Sequence, residues 1–250
     1  MSHHVVEARE LRYTYPDGTP ALRGVSFRIT HGEAVALVGA NGAGKSTLLL
    51  HLTGCLFADS GELRVGEVPV SRETLQVIRR TVGMVFQDPD DQLFMPTVFD
   101  DLAFGPLNLG LRGAEVEARV TECLERVGAV HLRDRPPYRL SAGEKRAVAI
   151  ASTLTMGPAV LVLDEPSSNL DPRHRRHLIE LLRSFAHTRL VATHDLDLAL
   201  EVCSRVIVLA QGTVAADGPA SEILADGTLL EQHGLEKPLR LQGCPRCAGG

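Results

Sequence analysis

The stretch Ala34-Val35-Ala36-Leu37-Val38-Gly39-Ala40-Asn41-Gly42-Ala43-Gly44-Lys45-Ser46-Thr47 decides how the rest of the chain is read. Its first five residues form a short apolar run, suited to a central parallel strand covered on both faces. Residues 39–47 then match G-x-x-x-x-G-K-[ST], and a helix is predicted over 46–52. Glycines let backbone N–H groups approach an anion without an intervening Cβ. The following helix presents its positive end to the same anion. Lys45 is placed to reach the β- and γ-phosphates, and the Ser46 hydroxyl to ligate Mg2+. Residues Gly39, Ala40, Asn41, Gly42, Ala43, Gly44, Lys45, Ser46 and Thr47 are therefore the expected cradle for a nucleoside triphosphate. A chance Gly-Lys-Ser in a glycine-rich turn would lack the flanking strand and helix.

A second apolar run, Val160-Leu161-Val162-Leu163, delivers Asp164 and Glu165 to the end of a buried strand. Ligands of open α/β sheets bind at such carboxyl ends. Asp164 is the expected Mg2+ ligand, and Glu165 the group that polarises the attacking water. Further strand-like runs at 22–29, 82–86, 189–193 and 206–209 accompany helical patterns at 115–127, 143–154, 173–185 and 197–203. That alternation predicts an α/β fold with a parallel sheet and right-handed crossovers. Residues 87–110, rich in Asp, Pro and Gly, are expected to form turns and short helices. One domain spanning 1–250 is expected, with its core at about 1–88 and 157–225, a helical subdomain at about 89–156 and a C-terminal tail from about 226.

Composition narrows the function. The 250 residues carry 26 basic and 31 acidic side chains, a net charge of −5, which disfavours gripping phosphodiester backbones. Aromatic content of 4% with no tryptophan leaves no platform for stacking bases, so no nucleic-acid partner is expected. No stretch reaches the roughly 20 apolar residues that span a bilayer. Residues 1–11 lack the apolar core of a signal peptide. Five cysteines, an odd count, fit a reducing compartment. A cytoplasmic chain is expected, linked to any membrane through partners.

The segment Leu140-Ser141-Ala142-Gly143-Glu144-Lys145-Arg146 resembles the signature sequence of ATP-binding cassette (ABC) ATPases. Gln87, Ser168-Asn169-Leu170-Asp171, His194 and Tyr15 stand in the order and approximate spacing of that family's glutamine loop, D-loop, histidine switch and adenine-stacking aromatic. The resemblance covers essentially the whole chain. It implies a RecA-like phosphate-loop core with an antiparallel β edge and a helical insertion. Lys45, Gln87, Glu165 and His194 are then the catalytic set, with ATP and Mg2+ as ligands and Gln87 as a further metal ligand. It also implies that Ser141 and Gly143 of one chain contact the γ-phosphate bound by a second, so that two ATPs lie in a head-to-tail dimer. Ala142 and Glu144 replace the usual glycine and glutamine, which leaves the role of Glu144 open at this point.

The block from Gln87 to Asn108, containing Asp88-Pro89-Asp90-Asp91-Gln92-Leu93-Phe94, resembles ATPase subunits of energy-coupling-factor importers, especially the cobalt/nickel branch. The resemblance implies a motor on the cytoplasmic face of the cell membrane, with an integral-membrane coupling subunit and a membrane-embedded substrate-binding subunit as partners. Leu93, Phe94 and Phe99 would line a groove for a helix of a membrane protein, or else pack the insertion's own core. A soluble ABC ATPase acting on nucleic acid or ribosomes usually has long coiled-coil insertions or two cassettes, and neither fits. A phosphate-loop kinase would leave the signature and His194 unexplained. Homodimer and pairing with a paralogue both remain open.

Weaker signals have blander readings. Cys244-Pro245-Arg246-Cys247 supplies two of the four ligands that tetrahedral zinc wants. His174 and His177 lie among arginines and suit a solvated basic face. The N-terminal Met1-Ser2-His3-His4 suits a flexible end as well as a metal. Cys55, Cys123 and Cys203 are expected as core fillers.

Overall fold

The computed structural model describes residues 4–242. Met1-Ser2-His3 and the Cys244–Cys247 pair lie outside the described residues, as does the side chain of His4.

The chain opens with an antiparallel pair, β1 (His4–Thr14) and β2 (Pro20–Thr30), then enters β3 (Ala34–Val38) and α1 (Lys45–Leu52). β4 (Ser60–Val65) pairs with β1 and with β5 (Val68–Pro69), and α2 (Leu75–Thr81) leads into β6 (Val82–Val85). The insertion contributes α3 (Val98–Asn108), α4 (Ala114–Arg126) and α5 (Ala142–Leu154). The chain then alternates through β7 (Val160–Asp164), α6 (Pro172–Ser184), β8 (Thr188–Thr193), α7 (Leu196–Val202) and β9 (Arg205–Ala210). It closes with β10 (Thr213–Pro219), α8 (Ala220–Ile223) and α9 (Gly227–Gln232).

Two sheets result among the described residues. One is antiparallel with order β2-β1-β4-β5; the other has order β10-β9-β3-β8-β7-β6, parallel except for its β10 edge. Every residue of β3 and of β7 is buried, which explains their unbroken apolar sequence. Alternate side chains point to opposite faces. Ala36, Val38, Leu161 and Leu163 therefore join a core shared with the helices of the insertion and of the C-terminal half. Val35, Leu37, Val160 and Val162 join a second core beneath the antiparallel sheet and α1.

Local chemistry explains where the sequence reading falls short. β1 carries Glu7, Arg9, Glu10 and Arg12, which mask its apolar alternation. Glu7 is satisfied across the sheet by Arg28 at 2.6 Å and along the strand by Arg9 at 2.9 Å. The turns and short helices expected in 87–110 include an 11-residue helix, α3, despite Gly105 and Pro106. Thr97 caps it, its hydroxyl accepting the Asp100 N–H at 3.2 Å, and Val98, Leu102, Ala103 and Pro106 form its buried face. Cys123 and Cys203 are buried as expected, but Cys55 is exposed in the turn after α1. From 226 onward, where a tail is expected, α9 docks through Leu230, and Leu235 is buried in the larger core.

Candidate active site at the carboxyl edge of the parallel sheet

The loop after β3, His194 after β8, Glu165 after β7 and Gln87 after β6 all leave the same edge of the sheet. The strand order β3-β8-β7-β6 sets them in a row. Two glycines shape the first loop. A Cβ at Gly39 would lie 2.2 Å from the Leu209 carbonyl oxygen, so the chain passes there only without a side chain. Gly44 has φ +104°, and a Cβ would lie 2.7 Å from the Ala21 carbonyl oxygen. α1 begins at Lys45, whose buried ammonium donates to the carbonyls of Gly39 at 2.7 Å and Ala40 at 3.3 Å. That tie curls the loop around the helix start. Gly42, Asn41 and Ala40 stay exposed on the rim, as does Ser46 at the start of α1.

Glu165 is buried with φ +45°, a left-handed conformation that costs about 1–3 kcal/mol for a residue with a side chain. Its N–H donates to the Ala192 carbonyl at 2.8 Å, which ties the turn to β8. One carboxylate oxygen, Oε2, accepts from the Thr193 hydroxyl at 3.2 Å and the His194 N–H at 3.2 Å, and lies 2.8 Å from His194 Nδ1. An ionised carboxylate only accepts, so Nδ1 carries the proton. The other oxygen, Oε1, lies 4.0 Å from Lys45 Nζ. Sequence reading brings Lys45, Glu165 and His194 forward; the structure brings them together. It adds Thr193, a fully buried threonine whose polarity at the end of an apolar strand was the available clue.

Asp164 is also buried, and its Oδ1 has no hydrogen-bond partner among the described residues. Burial pushes its carboxyl above the ordinary aspartate value; the Ser46 hydroxyl offsets part of this, Glu165 adds repulsion, and Lys45 and Arg146 attract. A buried carboxylate with one orphaned oxygen beside a hydroxyl fits a divalent cation. A carboxyl raised in the folded state costs stability in full above its folded pKa, and nothing below the unfolded one. Asp164→Asn is therefore expected to raise the thermal midpoint of the nucleotide-free protein at neutral pH. The gain should fade as pH approaches the ordinary aspartate value, and Mg2+-dependent nucleotide affinity should fall. Scanning calorimetry at both pH values checks this; a lower midpoint at neutral pH would show that the carboxylate is already satisfied.

Tyr15 is half-buried. Its hydroxyl meets the Thr47 hydroxyl at 2.9 Å, and its ring stands edge-on to Tyr13 at 5.0 Å. Gln87 is exposed, and its main-chain carbonyl accepts from Arg146 at 2.6 Å. Arg146 also donates to the Phe86 carbonyl at 2.7 Å. Ser141 and Gly143 sit at the start of α5 in the insertion, and no hydrogen bond among the described residues joins them to the phosphate loop. The open question about Glu144 has a local answer. Ser141 caps α5, and Glu144 reaches back to accept the Ser141 N–H and hydroxyl, each at 2.8 Å, completing a capping box. Those bonds hold its carboxyl below the usual glutamate range.

Residues 22–168 match the family model described as ABC transporter. A protein of Geobacter sulfurreducens, provisionally named an ABC transporter ATP-binding protein, is 64% identical over 247 residues, covering 99% of each chain. The energy-coupling factor transporter ATP-binding protein EcfA of Methanothermobacter thermautotrophicus is 48% identical across 94% of this chain and 77% of its own. Among solved structures, cbiO1 from Clostridium perfringens, described as part of the ABC transporter complex cbiONQ, superposes with a TM-score of 0.82. It is 39% identical over 92% of this chain and 94% of its own.

Proposed function

Because the chain belongs to the ABC transporter family of ATP-binding proteins, we propose that it is the motor subunit of an energy-coupling-factor importer carrying cobalt or nickel ions. Members of this family bind ATP with Mg2+ and couple its hydrolysis to transport, working as dimers with membrane subunits. No helix among the described residues is long and apolar enough to cross a membrane, so the path for the cargo belongs to partners. The relatedness to EcfA supports the importer class. The metal cargo rests on the resemblance of residues 87–108 to the cobalt/nickel branch.

The observation that carries the catalytic reading is the divided carboxylate of Glu165. Oε2 is committed to Thr193 and His194, which leaves Oε1 to take a proton from the attacking water. His194 fixes the carboxylate's orientation and, being exposed, reports whether the pocket is closed. Lys45 sets the phosphates against the loop N–H groups and holds positive charge beside Oε1. Ser46 and Asp164, with Gln87 as a third, would hold Mg2+, which when bound neutralises phosphate-oxygen charge. Tyr15 would stack on adenine. Ser141 and Gly143 would close the pocket of a second chain, probing whether its γ-phosphate is present.

Coupling to the membrane would run through residues 86–95. Phe94 is 66% exposed and Phe104 47%, their rings edge-to-face at 5.4 Å, whereas Leu93 is buried in the core and Phe99 only partly exposed. Leu93 and Phe99 thus follow the core-packing alternative, and of the three only Phe94 stays exposed, beside Phe104. Asp101, itself buried, accepts the N–H groups of Phe94 and Met95 at 3.1 Å each and so fixes the presentation of that aromatic pair. The Gln92 amide nitrogen lies 2.7 Å from Ala149 O and 2.9 and 3.0 Å from the Ser152 and Thr153 hydroxyls, sharing its two protons among them, while Lys145 pairs with Asp90 at 2.6 Å. A push on Phe94 would thereby reach both Gln87 and α5. Expressed with the genes beside its own, the tagged protein is expected to recover polytopic membrane proteins, and the double change Phe94→Glu with Phe104→Glu to lose them. Recovery of nucleic acid or ribosomes instead would favour the soluble alternative.

A further inference from the structure

We propose that His174 is a positioning residue that sets the signature turn Ser141–Gly143 against the Ser168–Asp171 segment of the same chain. The proposal rests on the reading that one chain's signature completes another's ATP pocket. It starts from two helix beginnings that meet. α5 begins after Ser141, with Gly143 as its second residue, and α6 begins after Asp171, with His174 as its third. The imidazole of His174 fills the space over Gly143. A Cβ there would lie 2.4 Å from Cγ, 2.5 Å from Cδ2 and 2.6 Å from Nδ1, closer than real Cβ atoms come. Gly143 is thus bare towards its own chain, on the side where the ring lies.

The ring is itself held. Asp171 Oδ2 lies 2.7 Å from His174 Nδ1, so this nitrogen carries the proton. Asp171 Oδ1 accepts the N–H groups of Arg173 at 2.9 Å and His174 at 3.0 Å. One carboxylate therefore caps α6 and orients the ring. Asp171 also ends the short segment that runs on from Glu165, and within it Ser167 donates to Asp195, the neighbour of His194, at 3.1 Å. A few residues join the carboxylate that works on one ATP to the turn offered to the other. The His174 side chain remains 34% exposed, beside a cleft of about 440 Å³ between α6 and the α4–α5 pair, so its loss removes little buried apolar surface.

The test uses the full chain with Glu165→Gln as parent for dimer formation and the native sequence for turnover. His174→Ala is expected to weaken ATP-driven dimerisation, read by light scattering, and to lower kcat, each by about tenfold, since small misplacements of a positioned group are costly. ATP affinity measured by calorimetry on the dilute monomer should stay within about twofold, and His174→Asn, whose planar amide matches the imidazole atoms Cγ, Nδ1 and Cδ2 that face Asp171 and Gly143, should restore most of the loss. Wild-type dimerisation and turnover in His174→Ala would overturn the proposal, as would a His174→Asn variant no better than alanine. If the Glu165→Gln parent never dimerises with ATP, the paired-chain reading fails and takes this proposal with it.

Discussion

Glu165→Gln is expected to cut ATP turnover by about 10²–10⁴-fold, the range for losing a general base, while ATP stays bound. The substitution keeps the volume of a side chain that is only 6% exposed, and the amide oxygen still accepts from Thr193 and the His194 N–H. What disappears is the oxygen near Lys45 with room for a proton. An amide nitrogen cannot accept one. Chemistry stops while the pocket's shape survives, so the nucleotide-loaded dimer should accumulate. Phosphate release under single-turnover conditions and light scattering with MgATP measure the two effects. Hydrolysis at the native rate would remove Glu165 from the reaction and leave the contact of buried Glu165 with exposed His194 as an orienting one only.

Lys45→Ala has a comparably large expected effect at an earlier step. The ammonium makes two bonds to loop carbonyls and brings a buried positive charge to the place where phosphates bind. Charged hydrogen bonds contribute about 1.5–3 kcal/mol each, so losing the contacts to phosphate oxygens should weaken ATP binding by about 10²-fold or more. The effect is compounded because alanine also releases the tie between the helix start and the Gly39 and Ala40 carbonyls. Titration calorimetry with MgATP measures it, with far-ultraviolet circular dichroism as the check on folding. Retained affinity would mean that backbone N–H groups alone hold the phosphates, and the charge argument would fall.

Some of this was legible in the linear chain because its cause is local. The phosphate loop is written as strand, glycines, lysine and helix in one continuous run. The spacing from Ser141 to Glu144 is that of a capping box, so the answer about Glu144 lay in four adjacent residues. Other elements were obscured by their own side chains. β1 hides behind four charged residues whose partners include Arg28, 21 positions from Glu7. α3 contains Gly105 and Pro106, which look like a turn until the cap at Thr97 and the packing of Met156 over Gly105 are seen. The half-burial of His174 against Gly143 had no trace in a stretch full of arginines, because contact between α5 and α6 depends on how the insertion sits on the core.

The sequence by itself determined which groups handle the nucleotide: Lys45 and Ser46 in a glycine loop, and two carboxylates at the end of a buried strand. Only the tertiary structure decided their neighbours. Along the chain the order is phosphate loop, Gln87, Glu165, His194; along the sheet edge, His194 moves between the phosphate loop and Glu165. That exchange is what lets Thr193 and His194 grip the carboxylate. Its cause is the hydrogen-bonded pairing of β8 between β3 and β7, strands far apart in sequence. Apolar patterning says that each of these strands is buried, whereas the order in which they pair follows from the crossovers and the packing of both faces.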